Sequence, residues 1–283
     1  MEVLVGVEET QRRCEDLRRM GKTLALVPTM GFFHEGHLEL MRVARKHADI
    51  VIISIFVNPA QFGPSEDFEA YPRDMAGDLS KAGSVGVDIA FTPTVRGMYP
   101  EGSQTSVFVS KLGEHLCGLS RPGHFQGVTT VVAKLFHITK PHFAVFGQKD
   151  FQQLTIITRM VVDLNMEVQI IGYPTVREPD GLAMSSRNSY LSPEERKSGL
   201  CLKKSLDLAT RMVNEGKTDA AEIRSALERL ILSHPYTKID YVALCDPATL
   251  EDVEVLRGET LLALAVRVGK TRLIDNCLLG KKN

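Results

Sequence analysis

Residues 28–37 read Pro28-Thr29-Met30-Gly31-Phe32-Phe33-His34-Glu35-Gly36-His37, and this stretch decides the fold. An apolar run, 23–27, precedes it and has the length and content of a buried strand. Behind it, 38–44 (Leu-Glu-Leu-Met-Arg-Val-Ala) places apolar residues at helical spacing. A turn carrying two histidines and two glycines therefore joins a strand to a helix N-terminus. That is where an α/β fold receives phosphate, because the helix end offers unpaired N–H groups and a partial positive charge. Glycine lets the backbone come close to a phosphoryl group.

Working outward, strand-like and helical segments alternate. Runs at 24–27, 50–57, 88–92, 142–146 and 168–173 read as strands, and 38–47, 74–82, 128–138 and 151–164 as helices. Near-continuous apolar strands separated by helices predict a parallel sheet covered on both faces. The expected fold class is α/β: a Rossmann-like, doubly wound parallel sheet with a second, smaller α+β C-terminal domain. In such sheets ligands sit at the carboxyl ends of the strands. The rhythm changes after Ser186. Ser192-Pro193-Glu194-Glu195 starts a helix expected to run to Asn214, a second helix covers 219–233, and strands follow at 239–244, 260–268 and 273–278. The expected division is 1–186 for a catalytic domain and 187–283 for a smaller domain closing over the site. The end, 280–283, is expected to fray.

Composition narrows the function classes. A chain of 283 residues, 43% apolar, can bury a sizeable core. A net charge of −1 supplies no basic field for nucleic acid. Cys14, Cys117, Cys201, Cys245 and Cys277 are scattered and contain no Cys-x-x-Cys, which predicts reduced thiols and a cytoplasmic protein. The start lacks the basic and long apolar segments of a signal peptide, and no apolar run reaches membrane-spanning length. No membrane or nucleic-acid partner is expected.

The histidines allow more than one chemistry. A zinc protease needs His-Glu-x-x-His within a helix, but here the interval is one residue shorter and Gly36 interrupts it. A structural reading makes one ring a helix cap and the other surface. The pairing of two His with two Gly at a strand-to-helix turn favours imidazole donors aimed at phosphate oxygens. Further groups follow other strands. Asn58 and Gln61 lie after 50–57; amides suit a hydroxyl and a carboxylate on one small molecule, while Asn-Pro alone reads as a turn. Gly147-Gln148-Lys149-Asp150 closes a strand and opens a helix that carries Gln153; Lys149 suits phosphate, and Asp150 suits a ribose or a helix cap. Met184-Ser185-Ser186-Arg187 could clamp phosphates or be a plain Ser-rich turn.

Taken together, these segments resemble a known family. His34-Glu35-Gly36-His37 is similar to the His-x-Gly-His signature of the nucleotidyltransferase superfamily, and 28–37 resembles the pantoate–β-alanine ligases within it. Val57-Asn58-Pro59-Ala60-Gln61-Phe62, Arg121-Pro122-Gly123-His124-Phe125-Gln126-Gly127-Val128, Gly147-Gln148-Lys149-Asp150 and Met184-Ser185-Ser186-Arg187 resemble further segments of that family. The last is its counterpart of the Lys-Met-Ser-Lys-Ser loop of class I aminoacyl-tRNA synthetases. The resemblance spans essentially the whole chain. It implies an AMP-forming ligase that condenses pantoate with β-alanine through pantoyl adenylate, with Mg²⁺ accompanying ATP, as a homodimer. It implies catalytic roles for His34, His37, Lys149 and Arg187. It implies ATP contacts from Met30, Gly31, His34, Gly36, His37, Gly147, Lys149, Asp150, Val176, Met184, Ser185, Ser186 and Arg187. Pantoate and β-alanine would meet Gln61, Gln153, Asn58 and Arg121, and Asp78 would help hold the metal. Gly77 and Lys81 stand where relatives carry further polar, metal-associated groups, so the chain departs from the pattern there. Two rivals share the histidine turn: a nucleotidyltransferase that keeps the nucleotide on its product, and a nucleotide-binding sensor without turnover.

Overall fold

The computed structural model describes residues 1–64 and 66–280, so 281–283, in the end expected to fray, lie outside the described residues. In chain order the elements are β1 (Glu2–Leu4), α1 (Val7–Arg19), β2 (Leu24–Thr29), α2 (Glu35–His47), β3 (Ile50–Ile55), α3 (Met75–Ser84), β4 (Ile89–Phe91) and α4 (Val95–Met98). There follow α5 (Cys117–Ser120), α6 (His124–Thr139), β5 (Phe143–Gly147), α7 (Phe151–Asp163) and β6 (Gln169–Tyr173). The last part comprises α8 (Pro193–Gly199), α9 (Cys201–Asn214), α10 (Ala220–Leu232), β7 (Thr237–Cys245), β8 (Thr260–Val268) and β9 (Thr271–Leu279).

The chain forms two compact units. One comprises Met1–Gln148 and Ile156–Pro174; the other comprises Lys149–Thr155 and the chain from Thr175 onward. This differs from the division expected after Ser186. The reason is local: 176–184 folds on itself, with Met184 N–H donating to Val176 O at 3.0 Å and a bridge between Arg177 and Ala183. Arg177 then pairs with Asp275 on β9, so the hairpin belongs to the second unit.

In the first unit six strands pair in parallel in the order β1-β4-β3-β2-β5-β6. The apolar runs behave as expected: Leu24, Ala25, Leu26 and Val27 are wholly buried, as are Val51, Ile52 and Ile53. Strands buried on both faces need no polar alternation. From β2 the chain winds one way to β3 and β4, and β5 then starts the other half. The order reverses between β2 and β5, so the crevice for a ligand lies beyond Thr29 and Gly147. β1, at the edge of the sheet, is three residues long, too short to show a pattern in the sequence.

The second unit packs helices against the antiparallel sheet β7-β8-β9. Its core joins Leu202, Leu206 and Ala209 of α9 and Ile223 and Leu227 of α10 to Leu244, Leu262, Leu264 and Val266. The single helix expected over 193–214 is two. Gly199 ends α8 where a Cβ would stand 3.0 Å from Leu273 Cδ1, so the helix meets the sheet at a residue without a side chain. The helix start is as expected: Ser192 N–H donates to Glu195 Oε2 at 2.9 Å, and Glu195 N–H donates to Ser192 Oγ at 3.2 Å.

Candidate active site

The histidine turn begins with its strand pinned. Thr29 Oγ1–H donates to Ser54 O at 2.5 Å, fixing the end of β2 against β3. The chain then turns through two left-handed residues, Gly31 (φ 87°) and Phe32 (φ 53°). Glycine takes such a φ readily; phenylalanine does so only where its surroundings hold it. They do: Asp78 on α3 accepts Phe32 N–H on Oδ2 at 2.7 Å and Phe33 N–H on Oδ1 at 2.6 Å. His34 follows as N-cap of α2, with φ −116° and ψ 173°. Its backbone N–H donates to His37 Nδ1 at 3.4 Å. An accepting Nδ1 carries no proton, so the neutral His37 ring carries it on Nε2. The two rings stack with centroids 4.0 Å apart. The structure therefore brings His34, Gly36 and His37 to the start of α2, directly past the reversal of strand order.

The residues after β3 take a different arrangement from the one expected. Asn58 is 1% exposed and every hydrogen-bonding position of its amide is engaged. Oδ1 accepts Tyr99 O–H at 2.8 Å and Ala60 N–H at 3.3 Å, while Nδ2 donates to Gln61 Oε1 and to Gly127 O, both at 3.1 Å. Asn58 thus lies beneath Gln61 and holds its oxygen, rather than facing a ligand. The one-turn helix Pro59–Gln61 swings Asn58 inward, which its place after an apolar run did not foretell. Gln61, held by its oxygen, directs Nε2 to Met30 Sδ at 3.4 Å, so the amide and the histidine turn meet at Met30. Tyr99 is a group that the sequence reading missed. Burial pushes its hydroxyl up to about 12 despite the bond to Asn58, and it donates as a neutral phenol.

Arg121 is likewise committed within the protein. Its guanidinium grips Glu66 with two bonds, Nε to Oε1 at 2.7 Å and Nη2 to Oε2 at 2.5 Å. Burial alone would raise the Glu66 carboxyl, but the Arg121 bonds and charge outweigh it and hold it below the usual range. His124 Nδ1–H donates to Gln61 O at 2.8 Å, leaving Nε2 to accept from Arg121 Nη1 at 2.9 Å. Arg121 and His124 therefore brace the Gln61 backbone from behind. Gly127 is the other residue whose role sequence could not reveal. A Cβ there would lie 2.2 Å from Ala60 O and 2.7 Å from Gln61 N, so α6 touches the backbone that carries Gln61.

The remaining predicted residues, apart from Gly147 at the end of β5, belong to the second unit. Lys149, Asp150 and Gln153 stand at the start of α7; Asp150 is exposed, and Lys149 O accepts Asn276 Nδ2–H at 2.8 Å. Val176 O is taken by Met184 N–H. Ser185 caps the next turn, its Oγ accepting Arg187 N–H at 3.3 Å. Ser185 and Arg187 are half-buried, but Ser186 is only 7% exposed. The hairpin beneath them is ion-paired: Arg196 bridges Glu178 and Asp180, and Asn188 Nδ2 donates to Glu178 Oε1 at 2.7 Å.

The residues present do not fit a protein-held Mg²⁺ at Asp78. That carboxylate is 1% exposed and has an amide on each oxygen. Among the described residues no group of three or more His, Cys, Asp or Glu could hold a metal ion.

Comparison with known proteins agrees with this architecture. The model of the family described as pantoate-beta-alanine ligase matches residues 2–278. The pantothenate synthetase of Geobacter sulfurreducens is 55% identical over 282 residues, covering 100% of both chains. The crystal structure of pantothenate synthetase from Thermus thermophilus matches with a TM-score of 0.92 at 43% identity, over 98% of this chain and 99% of that one. The Francisella tularensis pantoate-beta-alanine ligase, described in complex with β-γ ATP and β-alanine, matches with a TM-score of 0.81 at 32% identity, over 98% and 97% of the two chains. With its Rossmann-like sheet and its histidine turn at the reversal of strand order, the chain belongs to the pantoate–β-alanine ligase family.

Proposed function

We propose that the His34–His37 turn of this ligase works on the phosphates of ATP and that Gln61 holds pantoate beside it. The family's reaction condenses pantoate with β-alanine at the expense of ATP. A pantoate carboxylate oxygen attacks the α-phosphorus, the bond to the bridging oxygen breaks, and pyrophosphate leaves. The β-alanine nitrogen then attacks the activated carbonyl carbon, loses a proton, and AMP departs with its oxygen. The observation that carries the assignment is the His37 ring, whose Nδ1 accepts the His34 amide and whose Nε2 therefore carries a proton suited to a phosphate oxygen.

In this reading His34 and His37 address the α- and β-phosphate oxygens, with His37 the proton donor. Met30, Gly31, Gly36, Gly147 and Val176 give backbone contacts to the nucleotide. Lys149, Asp150, Met184, Ser185, Ser186 and Arg187 serve its ribose and phosphates, the buried Ser186 through its backbone. Gln61 and Gln153 address pantoate, while Asn58 and Arg121 act on it through Gln61. Mg²⁺ enters on the ATP phosphates, where its ligands are largely phosphate and water. A homodimer in the cytoplasm completes the proposal. In support of the compartment, none of the five cysteines forms a disulfide, and burial pushes Cys14 and Cys245 up to about 12, unreactive thiols that need no oxidising environment. Among the described residues no helix is long and apolar enough to cross a membrane.

The test is AMP release from ATP and Mg²⁺, with pantoate and β-alanine added singly and together. AMP release should need both, and pyrophosphate exchange should need pantoate alone. A nucleotide retained on the product, or binding without AMP, would favour one of the two rivals. A second expectation concerns Gly127→Ala. The added methyl meets backbone rather than a yielding side chain, so a loss of about 1–3 kcal/mol in stability is expected. Gln61 should shift with it, raising KM for pantoate more than KM for ATP. Equal changes in both constants would show that α6 does not set the position of Gln61.

A further inference from the structure

We propose that Asp78 and Lys81 are positioning residues that aim the His34 amide at His37, and that Asp78 is not a metal ligand. The inference rests on the reading that His37 acts in the reaction. The two residues are three apart on α3 and so share one face of that helix. Asp78 holds two consecutive amides, those of Phe32 and Phe33, at 2.7 and 2.6 Å. Lys81 Nζ donates to Phe33 O at 2.9 Å. That carbonyl and the His34 N–H belong to one peptide group, which is planar. Gripping its oxygen from α3 therefore sets the direction of its N–H, and that N–H donates to His37 Nδ1.

The clamp also explains the backbone. Gly31 and Phe32 take left-handed φ values of 87° and 53°, which places their neighbours' amides toward one carboxylate. A Cβ on Gly31 would stand 2.8 Å from Asp78 Oδ2 and 3.0 Å from Ile55 Cγ2, so the loop lies directly over the carboxylate. A cation at Asp78 would have to displace the two amide donors already seated on its oxygens. The ammonium group of Lys81 is a donor only, which fits a clamp on the Phe33 carbonyl. Asp78 thus acts on His37 through two peptide groups, and it fixes which ring nitrogen carries the proton.

The experiment compares wild type, Asp78→Asn and Lys81→Met by three readouts. These are kcat and KM, the Mg²⁺ concentration for half-maximal rate, and the His37 tautomer from ¹⁵N–¹H NMR of histidine-labelled protein. Wild type should show His37 as the single Nε2–H tautomer. Asp78→Asn puts an amide donor against an amide donor, and should lower kcat by about 10²-fold through misplacement. Its KM for ATP and its Mg²⁺ requirement should change little, and the His37 signal should become a mixture. Lys81→Met should do the same with a smaller loss, and carries the test if Asp78→Asn does not fold. A raised Mg²⁺ requirement with an unchanged tautomer would make Asp78 a metal ligand and overturn the proposal. So would an unchanged tautomer and kcat with only a lower melting temperature. Full turnover in His37→Ala would instead remove the underlying reading, while the tautomer data would still decide whether the clamp aims the ring.

Discussion

His37→Ala is expected to lower turnover by about 10²–10³-fold, roughly 2.7–4 kcal/mol of transition-state stabilisation, with the fold retained. The ring is partly exposed at the first turn of α2, and under the proposed function it contributes a donor to charge that forms during displacement at phosphorus. Losing the ring leaves the clamp on Phe32 and Phe33 in place, because Asp78 and Lys81 bond to backbone before His34. Rate and stability should therefore separate. The check is kcat for AMP formation beside the denaturant midpoint. Turnover within threefold of wild type would reject the assignment, and a collapse of the midpoint would mean that the ring's packing on Phe33, 5.4 Å between centroids, dominates. His37→Gln, which keeps an amide donor, should fall between the two proteins in rate.

The sheet was legible because both of its determinants are local. Apolar runs such as 50–55 have strand length, and helical periods lie between them, so parallel pairing and the place of the crevice follow from handed crossovers. The histidine turn was legible for the same reason, since strand, glycine, histidines and helix are consecutive. What escaped depends on partners distant in the chain. Asn58 follows a buried strand, as a ligand-binding amide would, yet Tyr99 and Gly127 complete its hydrogen bonds from 41 and 69 residues away. Arg121 sits in a family-like segment, but its charge is answered by Glu66, 55 residues earlier, in a loop that carries no periodic signal. Asp78 is an acid on a helix after a polar loop, and only folding shows that both of its oxygens face amides 45 and 46 residues before it. A one-dimensional reading thus gathers these residues by their neighbours in the chain and does not see the distant partners that hold Asn58, Arg121 and Asp78.

The second unit carries the other large effect. Asp275→Ala is expected to destabilise that unit by about 3–5 kcal/mol, the usual cost of leaving a buried ion without its partner. Asp275 is only 2% exposed and Arg177 24%, and two bonds join them, at 2.6 and 2.9 Å. Burial would lower the Arg177 pKa, yet the Asp275 carboxylate more than compensates and holds it above the ordinary value. Arg177 also donates to Gly181 O at 3.2 Å, so the pair ties the turn of the hairpin to β9. The chain leaves this hairpin straight through Met184 into Ser185, Ser186 and Arg187. Loss of Asp275 should therefore show twice: as an earlier unfolding transition, and as a raised KM for ATP under conditions where the protein is still folded. The double variant Arg177→Met/Asp275→Leu separates the two effects. Apolar packing should recover much of the stability, since a buried pair is often no better than a well-packed hydrophobic one. KM for ATP should stay high, because no methionine can hold Gly181 O. Recovery of KM together with stability would mean that the ion pair serves the fold alone and that the loop of Met184, Ser185, Ser186 and Arg187 is shaped elsewhere.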